Sequence, residues 1–266
     1  MSGVRLICVG THHKTGTVWM RRVWREIGET LGIPFIGVHR PAIWRQKVPD
    51  SGRAIVVNWG GKFAPDLWDQ PDARFLHIIR DPRDVLLSGA RYHETTTAPT
   101  EKFLHKPRKD LGGQTYQQHM QALPSLDEKL AFEMTEMHAK TLSEMLAWPY
   151  GHVRAFDIRY EDLIVDTDCE LFGRALAFFE LSDAEIDICK KIFYENSIFG
   201  GLAADPSQGR TKNHVKSGKP AQWITKLPEK TAELYRKNHG QDLVTLGYED
   251  GLDWLDRLQP SQEVAV

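Results

Sequence analysis

The 266-residue sequence predicts an α/β fold built on a central parallel β-sheet flanked by helices. Two observations carry this. Short apolar runs of strand length alternate with longer segments whose apolar residues recur at helical spacing. The first and fourth runs lead through polar turns into helices, the connection that parallel strands require.

Val4–Val9 is short, apolar and closed by Gly10, the pattern of a buried strand. Thr11–Thr17 is polar and contains Gly16, and Val18–Leu31 then carries Val18, Trp19, Val23, Ile27 and Leu31 at helical spacing. Gly32 and Pro34 end that helix. Strands follow at Ile33–Val38, Ala54–Val57 and Phe75–Ile79, and Asp81-Pro82 opens a further helix with proline in its first turn. Residues 96–125, with Pro99, Pro107, Gly112-Gly113 and Pro124, read as a long loop or lid. Leu126–Trp148 is a strong amphipathic helix, Val153–Ile158 a fifth strand, and helical segments follow near 167–180 and 183–195. Residues 196–222 form a second loop or lid, and Leu227 to about His239 is a closing helix. The expectation is one domain over residues 1–266 with its core at about 4–240.

Composition narrows the function. Lys and Arg number 34 against 36 Asp and Glu, so nothing global favours nucleic acid and any anion site is local. Cys8, Cys169 and Cys189 are odd in number and far apart, which reads as reduced core thiols in a cytoplasmic protein. No segment approaches the roughly 18 apolar residues of a transmembrane helix, and the start lacks a signal-peptide pattern.

Two motifs carry chemistry. Gly10-Thr11-His12-His13-Lys14-Thr15-Gly16-Thr17-Val18-Trp19 joins a strand to a helix start, where free N–H groups and the helix dipole favour an anion. It is not a Walker A loop, because Lys14 precedes Gly16 instead of following a glycine. Ile79-Arg80-Asp81-Pro82-Arg83-Asp84-Val85-Leu86-Leu87-Ser88 places an always-charged forked donor at a strand end and a hydroxyl two turns into the next helix. Each alone is equally a plain strand–helix turn.

Together they resemble the cytosolic-type sulfotransferase family. Lys14, Thr15, Gly16, Thr17 and Trp19 match its 5′-phosphosulfate loop, and Arg80 with Ser88 match its 3′-phosphate motif. Tyr160-Glu161-Asp162-Leu163 looks like its Tyr-Glu-Asp segment, and Lys216-Ser217-Gly218-Lys219-Pro220-Ala221-Gln222-Trp223 like its C-terminal loop. The resemblance covers about residues 4–240 and implies a P-loop-like sulfotransferase architecture. It implies 3′-phosphoadenosine 5′-phosphosulfate as co-substrate, its desulfated product 3′-phosphoadenosine 5′-phosphate (PAP), and no metal. It also implies a hydroxyl or amine on a small molecule as acceptor, with a homodimer left open and no nucleic acid. By carry-over Trp19, Tyr160, Ile198 and Phe199 are adenine contacts, with core packing the alternative for each, and Lys216, Ser217 and Gly218 hold the 3′-phosphate. Lys14 is expected to meet the charge that develops on the leaving oxygen.

The chain departs from the family in two places. Lys216, Ser217 and Ala221 stand where the C-terminal loop has Arg, Lys and Gly, so one cation is lost. Asn58 stands where the family has its histidine, and an amide is not a general base; it is expected to orient the acceptor. Substitutes for the base are His13, His39, Lys62, His93 and acids of the 96–125 loop, with His39 preferred because it ends the second strand at the ligand-facing edge. Trp44, Trp59, Phe63 and Trp68 either line an acceptor pocket or pack the sheet. The rival functions are a catalytically inactive nucleotide-binding homologue and a P-loop small-molecule kinase.

Overall fold

The computed structural model describes residues 3–98, 101–204 and 218–259. Five strands, β1 (Leu6–Thr11), β2 (Phe35–Gly37), β3 (Ala54–Asn58), β4 (Ala73–Ile79) and β5 (Ala155–Arg159), form one sheet in the order β2-β3-β1-β4-β5. Every pairing is parallel. All five expected strands are present, displaced by at most a few residues.

The chain divides into two compact units, one of residues 1–80 and 147–220, the other of 81–146 and 221–266. The first unit holds the sheet. Helix α1 (Thr17–Leu31) begins after Gly16 and ends at Gly32, both left-handed, and buries Met20, Val23, Trp24 and Ile27. That spacing of three and four residues makes one apolar stripe. It packs on Ile7, Val9, Ile55, Val57, Leu76, Ile78 and Ile158. The alternate residues Leu6, Cys8, Ala54, Val56, Ala73 and Phe75 enter a second cluster with Val38, Trp44, Leu67 and Trp148. Both faces of the sheet are covered, so its strands read as continuous apolar runs.

In the second unit the sequence expectation needs two corrections. Leu126–Trp148 is not one helix but two, Leu126–Thr135 and Met137–Leu146. The backbone leaves the helical region at Glu136 (φ −109°, ψ −110°), whose carboxylate is gripped by two nitrogens of Arg108 at 2.7 and 3.0 Å. Residues 96–125 are not all loop either. They contain helix Tyr116–Ala122, started by a capping box of Thr115 and Gln118. Leu104, Tyr116 and Met120 form their own buried apolar cluster, which gives the segment a reason to order. The closing helix runs over Glu229–Thr245. No helix among the described residues is long and apolar enough to cross a membrane.

Candidate functional site

The strand–turn–helix over residues 10–19 lies in the first unit. Its turn is built on the carbonyl of His12, which accepts from the Thr15 amide (3.2 Å), the Thr15 hydroxyl (3.0 Å) and the Thr17 hydroxyl (2.7 Å). The His12 amide donates to Thr15 Oγ1 at 2.8 Å, and the Thr11 and Thr17 hydroxyls are 2.8 Å apart. Thr15 is fully buried, so its hydroxyl belongs to the turn. Lys14 adopts a left-handed backbone at φ 65° and Gly16 another at φ 97°. Positive φ is uncommon at a lysine and marks a tightly specified loop. The amides of Thr17, Val18 and Trp19 precede the first helical bond, Met20 N–H to Gly16 O at 3.0 Å.

Arg80 follows β4 directly and is buried. Its guanidinium donates to the Lys14 carbonyl at 3.2 Å and lies 4.6 Å over the Tyr160 ring. The Tyr160 hydroxyl donates to the Gly218 carbonyl at 2.9 Å. A side chain on Gly16 would come within 3.3 Å of that same tyrosine ring. Trp19 stacks on Phe193 at 5.0 Å and meets Tyr160 and Phe199 edge-on, while its Nε1 is buried with no hydrogen-bond partner among the described residues. Ile198 is half-buried against the core on the α1 face. The first unit thus gathers Lys14, Thr15, Gly16, Thr17, Trp19, Arg80, Tyr160 and Gly218 around one turn. Ser88 lies half-buried on helix Pro82–Thr95 of the second unit. Lys216 and Ser217 lie outside the described residues.

Asn58 closes β3 with its side chain turned to the loop. Nδ2 donates to Val38 O at 2.7 Å, and Oδ1 accepts from the Gly60 and Lys62 amides at 2.9 and 3.1 Å. His39 is exposed in the bend after β2, and Lys62 is exposed in the loop after β3. His93 is buried in the second unit, where Nδ1 meets Glu133 at 2.7 Å and the same carboxylate accepts from Tyr116 at 2.6 Å. Of the four aromatic residues near Asn58, Trp44, Phe63 and Trp68 pack the sheet; Trp68 stacks on Phe75 at 3.7 Å. Trp59 lies beside Phe35 with Arg21 over its ring.

Sequence reasoning missed a polar row that runs from buried histidines to an exposed aspartate. The register aligns Asn58 with Gly10, Gly10 with His77, and His77 with Asp157 across four strands. These positions share the face opposite α1, and His12, two residues beyond Gly10, follows the same parity. His12 Nε2 and His77 Nε2 are 2.8 Å apart, and His77 Nδ1 is 3.1 Å from Asp157 Oδ1. Trp148 stacks on His77 at 4.0 Å. Both imidazoles are fully buried, and burial holds each below the ordinary histidine range, His12 the more strongly. His77 and Lys62 push His12 further down, whereas Asp157 partly restores His77. The available signal was a histidine inside the apolar run of β4 and an aspartate in β5. No cluster of three or more His, Cys, Asp or Glu among the described residues is arranged to hold a metal ion.

No protein-family model and no curated protein matches the chain. Among solved structures it is similar to mouse sulfotransferase SULT7A1 complexed with PAP, at TM-score 0.59 and 15% identity over 95% of this chain and 87% of that one. Retinol dehydratase in complex with androsterone and inactive cofactor PAP gives TM-score 0.47 and 14% identity, covering 90% and 81%. A sulfotransferase from Alicyclobacillus acidocaldarius gives 0.40 and 14%, covering 93% and 96%. Of these three, the mouse protein alone has a TM-score above 0.5, and at 15% identity the likeness is one of fold. With five parallel strands flanked by helices and a tight turn from the first strand into α1, the chain has the sulfotransferase fold.

Proposed function

We propose that the chain is a sulfotransferase that moves a sulfuryl group from 3′-phosphoadenosine 5′-phosphosulfate to a hydroxyl or amine of a small acceptor. One observation carries the reading. Arg80 donates to the carbonyl of Lys14, so the residues matching the 3′-phosphate and 5′-phosphosulfate motifs, 66 positions apart in sequence, meet in space. The donor nucleotide supplies an activated sulfur and a good leaving group. The chain's part is to bind, orient and neutralise charge, because in-line transfer depends chiefly on positioning and fixed donors.

The residues present fit such a nucleotide. Lys14 sits three residues before the start of α1, which the amides of Thr17, Val18 and Trp19 open, and there dipole and donors favour an anion. Gly16 leaves room that a side chain would fill against Tyr160. Trp19 Nε1, buried and with no partner among the described residues, is a donor open to an acceptor. In this reading Lys14 meets the leaving oxygen, and Arg80 and Ser88 with Lys216, Ser217 and Gly218 hold the 3′-phosphate. Trp19, Tyr160 and Ile198 contact adenine. Thr15 shapes the turn, and Asn58 fixes the loop after β3 instead of orienting the acceptor. His39 is left without a role. Three buried, unpaired cysteines suit a reducing compartment such as the cytoplasm.

The test is a thermal shift. PAP should raise the melting temperature, because a ligand bound only by the native state stabilises it by mass action. A larger shift with ATP and Mg²⁺ than with PAP would overturn the assignment in favour of phosphoryl transfer.

A further inference from the structure

Hydrogen-bond logic fixes the protons in the row. The Asp157 carboxylate only accepts, so the proton between it and His77 sits on His77 Nδ1. His77 Nε2 is then a bare lone pair. The facing His12 Nε2, 2.8 Å away, must carry the hydrogen between them. His12 Nδ1 is therefore left unprotonated. It is fully buried and has no hydrogen-bond partner among the described residues. A buried lone pair without a donor is costly, and a protein that keeps one in place signals a use for it.

We infer that His12, His77 and Asp157 form a proton relay whose inner end, His12 Nδ1, takes the acceptor's proton during sulfuryl transfer. This rests on the sulfotransferase reading and supplies the base that Asn58 does not. The acceptor oxygen forms its bond to sulfur while the bond from sulfur to the bridging oxygen breaks, and that electron pair leaves on PAP. The acceptor's proton, directly or through one water, goes to His12 Nδ1. The proton on His12 Nε2 passes to His77 Nε2, and that on His77 Nδ1 passes to Asp157. All three groups end neutral, so no imidazolium is stranded in the interior, which would be expensive. Asp157 is the outlet, since its side chain is 28% exposed whereas that of His77 is not exposed at all.

The surroundings favour this route. Among the described residues, Lys62 and Tyr150 also act on the row: Lys62 disfavours charge on His12, and the Tyr150 ring lies 5.6 Å from His77. Trp148 and Gly61 hold the rings in place, Trp148 by stacking on His77 and Gly61 by admitting His12 where any side chain would strike it. His12 is two residues before Lys14, so the base and the leaving-group cation come from one turn.

The experiment has two arms on the full chain. Nitrogen-15 NMR of labelled histidines should show His77 protonated on Nδ1 and His12 on Nε2; a proton on His12 Nδ1 overturns the relay. The kinetic arm uses Asp157→Asn, which keeps the shape and the hydrogen bond but cannot take a proton, with His77→Gln as a second cut. The probes are 3′-phosphoadenosine 5′-phosphosulfate and a series of phenols of graded acidity. Affinity for PAP should be unchanged. Turnover should fall by about 10²-fold or more for weakly acidic phenols and by much less for strongly acidic ones, which need little help from a base. A uniform loss across the series, no loss, or wild-type protein that binds PAP yet sulfates no phenol overturns the relay. Failure of the sulfotransferase reading is separate, because there the wild type does not bind PAP at all.

Discussion

Replacing Gly61 by alanine tests the packing on which the histidine pair depends. Gly61 has φ 64°, and a Cβ there would lie 2.6 Å from His12 Cε1 and 2.9 Å from Nε2. Two effects add. A left-handed backbone costs alanine about 1–2 kcal/mol, offset by about 0.4–1 kcal/mol from the narrower unfolded ensemble. The His12 ring must then move off His77, leaving buried ring nitrogens unsatisfied at about 1–3 kcal/mol. Gly52 separates the two, because at φ 79° it carries the same backbone strain with nothing within 4 Å of its would-be Cβ. The difference between Gly61→Ala and Gly52→Ala is therefore the ring displacement alone. At about 2–4 °C per kcal/mol for a chain of this size, Gly61→Ala should melt roughly 2–12 °C below Gly52→Ala. Thermal unfolding followed by circular dichroism measures it. Equal melting temperatures would refute the claim that the ring is pinned against that loop.

Four further outcomes follow from the geometry. Lys14→Ala should keep the fold and cut turnover by about 10²–10³-fold, as expected for one fixed donor at a developing anion; steady-state kinetics returning a change of only a few-fold would exclude that role. Arg80→Ala should cost about 1.5–3 kcal/mol in PAP affinity by calorimetry, and almost nothing for the analogue lacking the 3′-phosphate. Asn58→Ala should lower the melting temperature, since Val38 O and the Gly60 and Lys62 amides lose their partner, while turnover falls by less than the 10²–10⁴-fold of a lost base, on the order of the lower bound at most. Finally, Arg53 first and then the Ser182 amide hold the Glu185 carboxyl down to about 2, below its ordinary 4.5. A depressed folded value stabilises above the unfolded one, so the melting gap between wild type and Glu185→Gln should be full above about pH 5 and close as the pH falls toward 2.

The sheet was legible because its strands are buried on both faces, which leaves uninterrupted runs such as Ala54–Asn58 that no helix pattern imitates. The strand–turn–helix was legible because all its residues lie within one short stretch, Gly10–Trp19. The break at Glu136 was not, since the apolar spacing continues through it and the carboxylate there is held by an arginine distant in sequence, Arg108. Helix Tyr116–Ala122 was hidden by the prolines and glycines on either side of it. Asn58 read as a lost base because only its position was visible, whereas its three hydrogen bonds give it a task in the loop. His12, His77 and Asp157 come from three separated segments, and strand register, which sequence spacing does not encode, brings them together.

That register also governs which genetic changes the sheet can absorb. Side chains alternate faces along a strand, so inserting or deleting one residue in β4 would carry His77 to the α1 side and move Arg80 away from the carbonyl of Lys14 in the same event. The turn after β1 and the histidine row are thus yoked by parity. Point substitutions can tune one without the other, but a length change inside β1, β4 or β5 would damage both at once. Lineages descending from this chain should accordingly accumulate their insertions in the connections between strands and keep strand lengths frozen.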